Sequence, residues 1–304
     1  MIGEYQLAIN ILQHLVMLNP KSVTMARKLA SLFLKIGQPM NAKILYEKII
    51  MQGNVSPDLF HEFAQVCIET NDYDKAEKIL KKVIDLTPDS AIAHKDLGII
   101  FLNKRLFDYA KDEFEKAYKL EPENFFIVFE YANYLHATTD FKRADEMYQK
   151  AIELNPENAG ALGMSALNKM QLKDLDVAKE QIDKAVDKLP EDPFLLFIAG
   201  KIRFLLKDYD CAKPFLIKSY EGDKNSECEN LLGLCYYEMG DYSQANNIFK
   251  HLLDKNPMNV NILLNSSKCY EQLGDVDEAL KQAEKAAEVF PECEEAQEII
   301  RKLS

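Results

Sequence analysis

Nine alanines recur at a fixed beat along the chain: Ala8, Ala42, Ala76, Ala110, Ala144, Ala178, Ala212, Ala245 and Ala279, separated by 34 residues except for one interval of 33. A chain that repeats a small residue at such a period builds one supersecondary unit many times over, each unit burying its apolar face against its neighbours. A second column follows twelve residues later: Pro20, Asn54, Pro88, Pro122, Pro156, Pro190, Pro257 and Pro291, with Lys224 or its neighbours replacing proline in the shortened unit. Proline cannot continue a helix and biases its predecessor toward extended backbone, so each unit ends in a helix stop. Between the markers, Asp72 to Leu86 carries apolar residues at spacings of 3 and 4, which predicts an amphipathic helix. A second helix precedes it, as at Leu97-Gly98-Ile99-Ile100-Phe101-Leu102, so each unit is two helices. The alanine column marks a close crossing of the pair. Gly98, Gly200 and Gly233, with Ala30, Ala64, Ala132 and Ala166, supply the matching small residue on the first helix. Ser56-Pro57 and Asp192-Pro193 read as an N-cap followed by proline at the first helical position.

Composition narrows the function. The formal net charge is −12, which argues against nucleic acid or an anionic membrane as partner, since both demand a basic face. Hydrophobic residues at 47% against 28% charged fit a folded water-soluble protein, and 11 Gly with 11 Pro are too few for the turns of a β-sandwich or barrel. No run reaches membrane-spanning length and the start, with Glu4 and no basic flank, lacks the look of a signal peptide, so a cytoplasmic location is expected. Cys67, Cys211, Cys228, Cys235, Cys269 and Cys293 show no C-x-x-C spacing and read as reduced core thiols. Asn54-Val55-Ser56 and Asn265-Ser266-Ser267 match a glycosylation pattern that means little without a secretory signal. His14, His61, His94, His136 and His251 lie in different units without a second ligand at i+3 or i+4, and neither a Gly-rich phosphate loop nor a nucleophile elbow is present. Carboxylates such as Glu292, Glu294 and Glu295 read as solvated outer charge. These observations predict no enzyme, no cofactor and no metal site.

The order of Leu-Gly, Tyr, Ala, aromatic and Pro resembles the tetratricopeptide-repeat family, whose unit has 34 residues. The nearest units are 91–124, with Leu97, Gly98, Phe101, Ala110, Phe114, Ala117 and Pro122, and 226–259, with Leu232, Gly233, Tyr236, Ala245, Phe249 and Pro257. The resemblance implies an all-α fold, a right-handed α-α superhelix or solenoid. Its eight full units fall at 23–56, 57–90, 91–124, 125–158, 159–192, 193–225, 226–259 and 260–293, with a lone second helix at 1–22 and a capping helix at 294–304. The family's early tryptophan is missing: Ala26, Phe60, His94, Val128, Leu162, Leu196, Glu229 and Leu263 stand there. Pro214, inside the second helix of the short unit, predicts a local irregularity from Pro214 to Lys224. The helix holding Ala8, Ile9, Ile11, Leu12, Leu15, Val16 and Leu18 lacks its partner, which suggests either a chain cut from a longer protein or an apolar face covered by a second copy in a homodimer.

In that family the inner surface is lined by the first helices, at unit positions 2, 5, 9, 12 and 13. Here the row is polar in the first units, with Thr24, Arg27, Ser31, Leu34 and Lys35, then Asp58, His61, Gln65, Ile68 and Glu69. It turns apolar midway, through Phe126, Phe129, Asn133 and His136, then Gly160, Gly163, Leu167 and Met170, then Phe194, Phe197, Lys201, Phe204 and Leu205, and on to Tyr237. So many apolar side chains on a face that should be wet predict a hydrophobic peptide-binding groove, with Gly160 and Gly163 leaving a trough between aromatic walls. A rotation of these helices would bury the same residues as core instead, and Lys169 and Arg203, standing where other units put Phe101 or Tyr236 inside, favour that alternative. Under the groove reading, Lys169, Lys201 and Arg203 are carboxylate anchors for a partner with hydrophobic side chains. The lysine and asparagine set that grips chaperone tails is mostly missing, as is an asparagine ladder: that row reads Lys28, Glu62, Asp96, Glu130, Met164, Ile198, Leu231 and Asn265. Three functions fit these features: an adaptor that docks a peptide across the central units, a recruiting segment of a larger enzyme, or a self-assembling structural element.

Overall fold

The structure, a computed structural model, describes residues 2–53 and 56–304, so Asn54, with its place in the proline column and its glycosylation pattern, lies outside the described residues. Every described element is an α-helix. Two compact units form, one ending at Leu154 and one spanning Asn155–Ser304. In the first, α1 (Ile2–Leu18) is followed by the pairs α2 (Val23–Lys35) and α3 (Pro39–Met51), α4 (Pro57–Glu69) and α5 (Tyr73–Leu86), α6 (Ala91–Asn103) and α7 (Phe107–Leu120), and α8 (Phe125–Ala137) and α9 (Phe141–Leu154). The second holds α10 (Ala159–Gln171) and α11 (Leu175–Lys188), α12 (Pro193–Leu205) and α13 (Tyr209–Gly222), α14 (Ser226–Glu238) and α15 (Tyr242–Lys255), α16 (Val260–Leu273) and α17 (Val276–Val289), then α18 (Glu294–Leu303). Within each unit, a first helix packs on its own second helix, and that second helix packs on the next first helix.

Each pair starts and turns by the same local chemistry. Ser22, Ser56, Ser90, Asn124, Asn158, Asp192, Asn225 and Asn259 cap the eight first helices, their side-chain oxygens accepting backbone N–H bonds from the first turn. Each such cap stabilises its helix by about 1 kcal/mol. The turn inside every pair places one residue in the left-handed region: Gly37, Asn71, Arg105, Thr139, Lys173, Lys207, Gly240 and Gly274, with φ between 57° and 82°. There the next residue's N–H reaches back to the carbonyl five positions earlier, as Gln38 to Phe33 and Asp140 to Leu135, which closes the helix in a Schellman motif.

The alanine column is the hinge of the packing. Ala42, Ala76, Ala110, Ala144, Ala178, Ala212, Ala245 and Ala279 are fully buried, whereas Ala8 of α1 is only half-buried. Opposite them, a Cβ added to Gly98 would stand 2.9 Å from the Phe114 ring, and one added to Gly200 2.6 Å from Leu216. In the last pair the small residue is Ser267, whose hydroxyl donates to the Ala279 carbonyl at 2.7 Å. The irregularity expected from Pro214 to Lys224 appears only at the far end of that span, without a break in α13 at the proline. This helix runs unbroken through Pro214, which is exposed, and the missing residue is taken from the connection to α14, where Asp223-Lys224-Asn225 replaces the usual four residues. Gly222 permits a close approach to the start of α12, because a side chain there would meet Pro193 at 2.8 Å, and Ser219 ties α13 to α12 by donating to the Pro193 carbonyl. Five cysteines are buried as reduced thiols, but Cys211 departs from expectation in being exposed.

Candidate peptide-docking surface

In the first unit the face formed by α2, α4, α6 and α8 carries a ladder of charged pairs between successive first helices. Arg27 Nε donates to Glu62 at 2.9 Å, and 34 residues on the His61 imidazole meets Asp96 at 2.7 Å. Burial works to raise both carboxylates, but hydrogen bonds prevail: Arg27 and Tyr46 hold Glu62 below its usual range, and His61 with Lys95 does the same for Asp96. The same register would pair Lys95 with Glu130 on α8. Instead the Lys95 ammonium turns to its neighbour Asp96 at 2.7 Å. Among the described residues Glu130 accepts an amide hydrogen from Asn133 alone, at 3.2 Å, and burial pushes its carboxyl above the ordinary value. Asn133 is itself fixed from beneath, accepting from the Tyr148 hydroxyl at 2.9 Å.

Around Glu130 stand the aromatic residues expected of the groove. Phe126 is 68% exposed, and Phe129 is half-buried, stacked on Phe125 at 5.7 Å between ring centroids and tilted against Tyr148. Ile92, one repeat earlier at the position of Phe126, is also exposed.

In the second unit, Phe194 on α12 occupies that same repeat position and is 50% exposed. Phe197 and Phe204 are half-buried, leaning on the cluster of Ala212, Leu216, Cys228, Leu232 and Cys235. Leu167 and Tyr237 are half-buried as well, the latter edge-on to Tyr242 at 5.2 Å. Not every candidate lies on this face. Met170 is only 8% exposed and belongs to the interior. Gly163 forms no trough, since a Cβ there would stand 2.3 Å from Leu195, whose side chain fills the space; Gly160 alone stays open.

The three cations assigned to a partner's carboxylate are already engaged. Arg203 is buried, bonded to Asp183 at 2.5 Å, with its guanidinium 4.3 Å from the centre of the Phe215 ring, so it points between helices rather than along the exposed face. Lys201 bonds Glu227 at 2.8 Å and lies over Phe197, and Lys169 faces Asp174 at 3.7 Å. The buried position that held Phe101 in one unit thus takes an arginine in another, while Phe194 two turns earlier stays outside. The rotation that would bury the whole row has not occurred.

Sequence reading passed over two further groups. Asp96 and Glu229 are buried carboxylates, and Glu229 is matched by His251 and by Lys255 at 2.9 Å. Offsets of 35 for Arg27 with Glu62 and of 22 for Glu229 with His251 were the available signal. Among the described residues no cluster of three or more His, Cys, Asp or Glu is placed to hold a metal ion, and no helix is long and apolar enough to cross a membrane.

Known proteins share this architecture. The tetratricopeptide-repeat domain of cytochrome c-type biogenesis protein H matches residues 85–194, and two further tetratricopeptide-repeat families match 57–90 and 236–303. A BBSome complex member BBS4 homolog of Drosophila melanogaster is 27% identical over 123 residues, which cover 40% of this chain and 25% of that protein, so the chain spans about a quarter of that relative's length. The structure of the APC/C hetero-tetramer Cut9–Hcn1 aligns with a TM-score of 0.69 at 17% identity, over 96% of this chain and 58% of that one. YrrB, described as a tetratricopeptide-repeat protein with an unusual peptide-binding site, gives 0.55 at 23% identity over 62% of this chain and 97% of its own. A repeat protein from Parabacteroides merdae gives 0.58 at 17% identity, covering 81% and 98%. With three repeat-family matches along a chain of turn-linked helix pairs, this protein belongs to the tetratricopeptide-repeat family.

Proposed function

We propose that the protein is a non-catalytic interaction scaffold that docks a peptide segment of a partner on the exposed face of its first helices. One observation carries the reading: phenylalanines at the same repeat position, Phe126 in one unit and Phe194 in the other, stay largely open to water although the stacking could have buried them. Apolar rings left on such a face favour a partner that covers them. Complete burial of one Phe contributes roughly 1.5–3 kcal/mol, and ordering costs remove much of the sum, which suits reversible binding on the order of micromolar. Because Lys169, Lys201 and Arg203 are paired within the chain, the partner needs apolar anchors and not a terminal carboxylate. The test is selection of random dodecapeptides on the immobilised chain. Each selected peptide should lose binding to Phe194→Ala or to Phe126→Ala, according to the unit it docks on, while both variants keep the wild-type circular dichroism spectrum. Peptides that bind both variants as tightly as wild type would refute the reading.

A second reading, self-association, has its own support in the first unit. Leu7, Ile11, Met17, Leu18, Ile44 and Met51 are exposed, and a cleft of about 600 Å³ opens among Ile9, Val16, Leu29, Phe33 and Ile44. Sedimentation equilibrium giving a mass of 34.8 kDa at high protein concentration would remove it.

A further inference from the structure

The charged ladder of the first unit runs out of cations at Glu130. Arg27 serves Glu62 and His61 serves Asp96, but Lys95, which the register assigns to Glu130, bonds Asp96 instead. Among the described residues no cation stands within ion-pair distance of Glu130, whose hydrogen-bond partner is the Asn133 amide; Lys95 acts on it only from a distance, and Asp96 opposes that effect. A carboxylate held half out of water without a cation is a costly arrangement that an incoming positive charge would relieve. The surroundings fit such a guest: Phe126 lies one turn before Glu130 on α8 and is exposed, and Phe129, half-buried against Phe125 and Tyr148, directly precedes it, so aromatic surface lies near by for the stem or head of a long cationic side chain. Elsewhere in this chain lysines already use that geometry, as Lys201 over Phe197 at 5.3 Å and Lys150 over Tyr118 at 5.2 Å. The net charge of −12 attracts a basic segment at long range.

We infer that Glu130, with Phe126 and Phe129, is a recognition point for a partner peptide that carries a lysine or arginine beside an apolar residue, the positive head bonding Glu130 and the apolar neighbour covering Phe126. The partner chemistry is thus the reverse of carboxylate capture. This inference rests on the docking reading above, and its test separates the two. Random dodecapeptides are selected in parallel on the wild-type chain, on Glu130→Gln and on Phe126→Ala/Phe129→Ala. Wild type should enrich peptides with Lys or Arg within three residues of an aromatic or aliphatic side chain. Glu130→Gln should keep the apolar enrichment and lose the basic one, and the double phenylalanine variant should lose the peptides that combine the two. For the best wild-type peptide, replacing its basic residue with citrulline or norleucine should weaken binding at least tenfold to wild type and less than twofold to Glu130→Gln. Glu130→Gln removes a desolvated charge and keeps the shape, so its melting temperature should not fall. Apolar enrichment without a basic residue, enrichment of acidic residues, or equal binding of the citrulline peptide overturns the inference and leaves docking intact. Peptides indifferent to the loss of Phe126 and Phe129 overturn the inference alone, and failure of wild type to enrich any peptide overturns both.

Discussion

Gly200→Ala sets two effects of known size against each other. Gly200 lies inside α12, where alanine is favoured over glycine by about 1 kcal/mol. Its added methyl would sit 2.6 Å from both Cγ and Cδ2 of Leu216 and 3.4 Å from the Ala212 carbonyl oxygen. Leu216 is fully buried and its Cγ cannot swing aside as a chain end could, so α12 and α13 must separate by several tenths of an ångström. Overpacking of this kind costs roughly 1–3 kcal/mol, and the balance is a net loss of up to about 2 kcal/mol. Urea denaturation followed by circular dichroism measures it. Leu216→Ala alone opens a cavity, but in the double variant the two defects offset one another, and a coupling of about 1 kcal/mol or more should appear in the cycle. Gly160→Ala, on the exposed face of α10, provides the contrast: its methyl would meet only the Asn158 cap oxygen, at 3.2 Å, so any loss should be smaller than at Gly200. Should Gly200→Ala match or exceed wild-type stability, close helix crossing would no longer explain the column of small residues.

Four other variants probe separate features of the fold and its exposed face. Thr139 is β-branched and sits at φ 63° in an exposed turn, so Thr139→Gly relieves left-handed strain of about 1–2 kcal/mol, part of which the looser unfolded chain takes back, and calorimetry should record a higher melting temperature. His94 is buried with Nδ1 bonded to Glu113 at 2.5 Å; that bond raises the imidazole pKa, while Glu113, which burial works to raise, is held low by His94 and Lys116. A raised imidazole stabilises the fold below its unfolded pKa and ceases to do so as pH climbs through the folded value, so His94→Gln should lose stability at pH 5.5 and little at pH 9, by denaturant titration at each pH. Equal losses at both would show that the charge is irrelevant. Phe197→Ala should lose about 1.5–2 kcal/mol because its ring leans on the Leu216 cluster, whereas Phe194→Ala should lose under about 1 kcal/mol, both weakening peptide binding.

Those contrasts trace what sequence could and could not convey. Periodicity carried the helix pairs, because burying Ala42 through Ala279 at every crossing demands small residues at a constant interval. The left-handed turn column was obscured, since Asn71, Arg105, Thr139, Lys173 and Lys207 occupy it where glycine would have announced it. Pro214 misled for a physical reason: on an exposed face its missing N–H does no harm that water cannot mend, and the shortening was absorbed in the next loop. Residue type at a repeat position told which side chains approach the first-helix face, but not how far each turns in. Hence Met170 and Gly163 proved interior beside an open Phe194. Cation availability was the least legible feature, because the engagement of Arg203 by Asp183 and of Lys95 by Asp96 depends on rotamers and neighbours, not on spacing.

Amide hydrogen exchange on the chain with and without a selected peptide addresses the docking claim most directly. In the second unit, added protection is predicted along α10, α12 and α14, centred on 194–204, with α11, α13 and α15 unchanged. Protection confined to those second helices would contradict it.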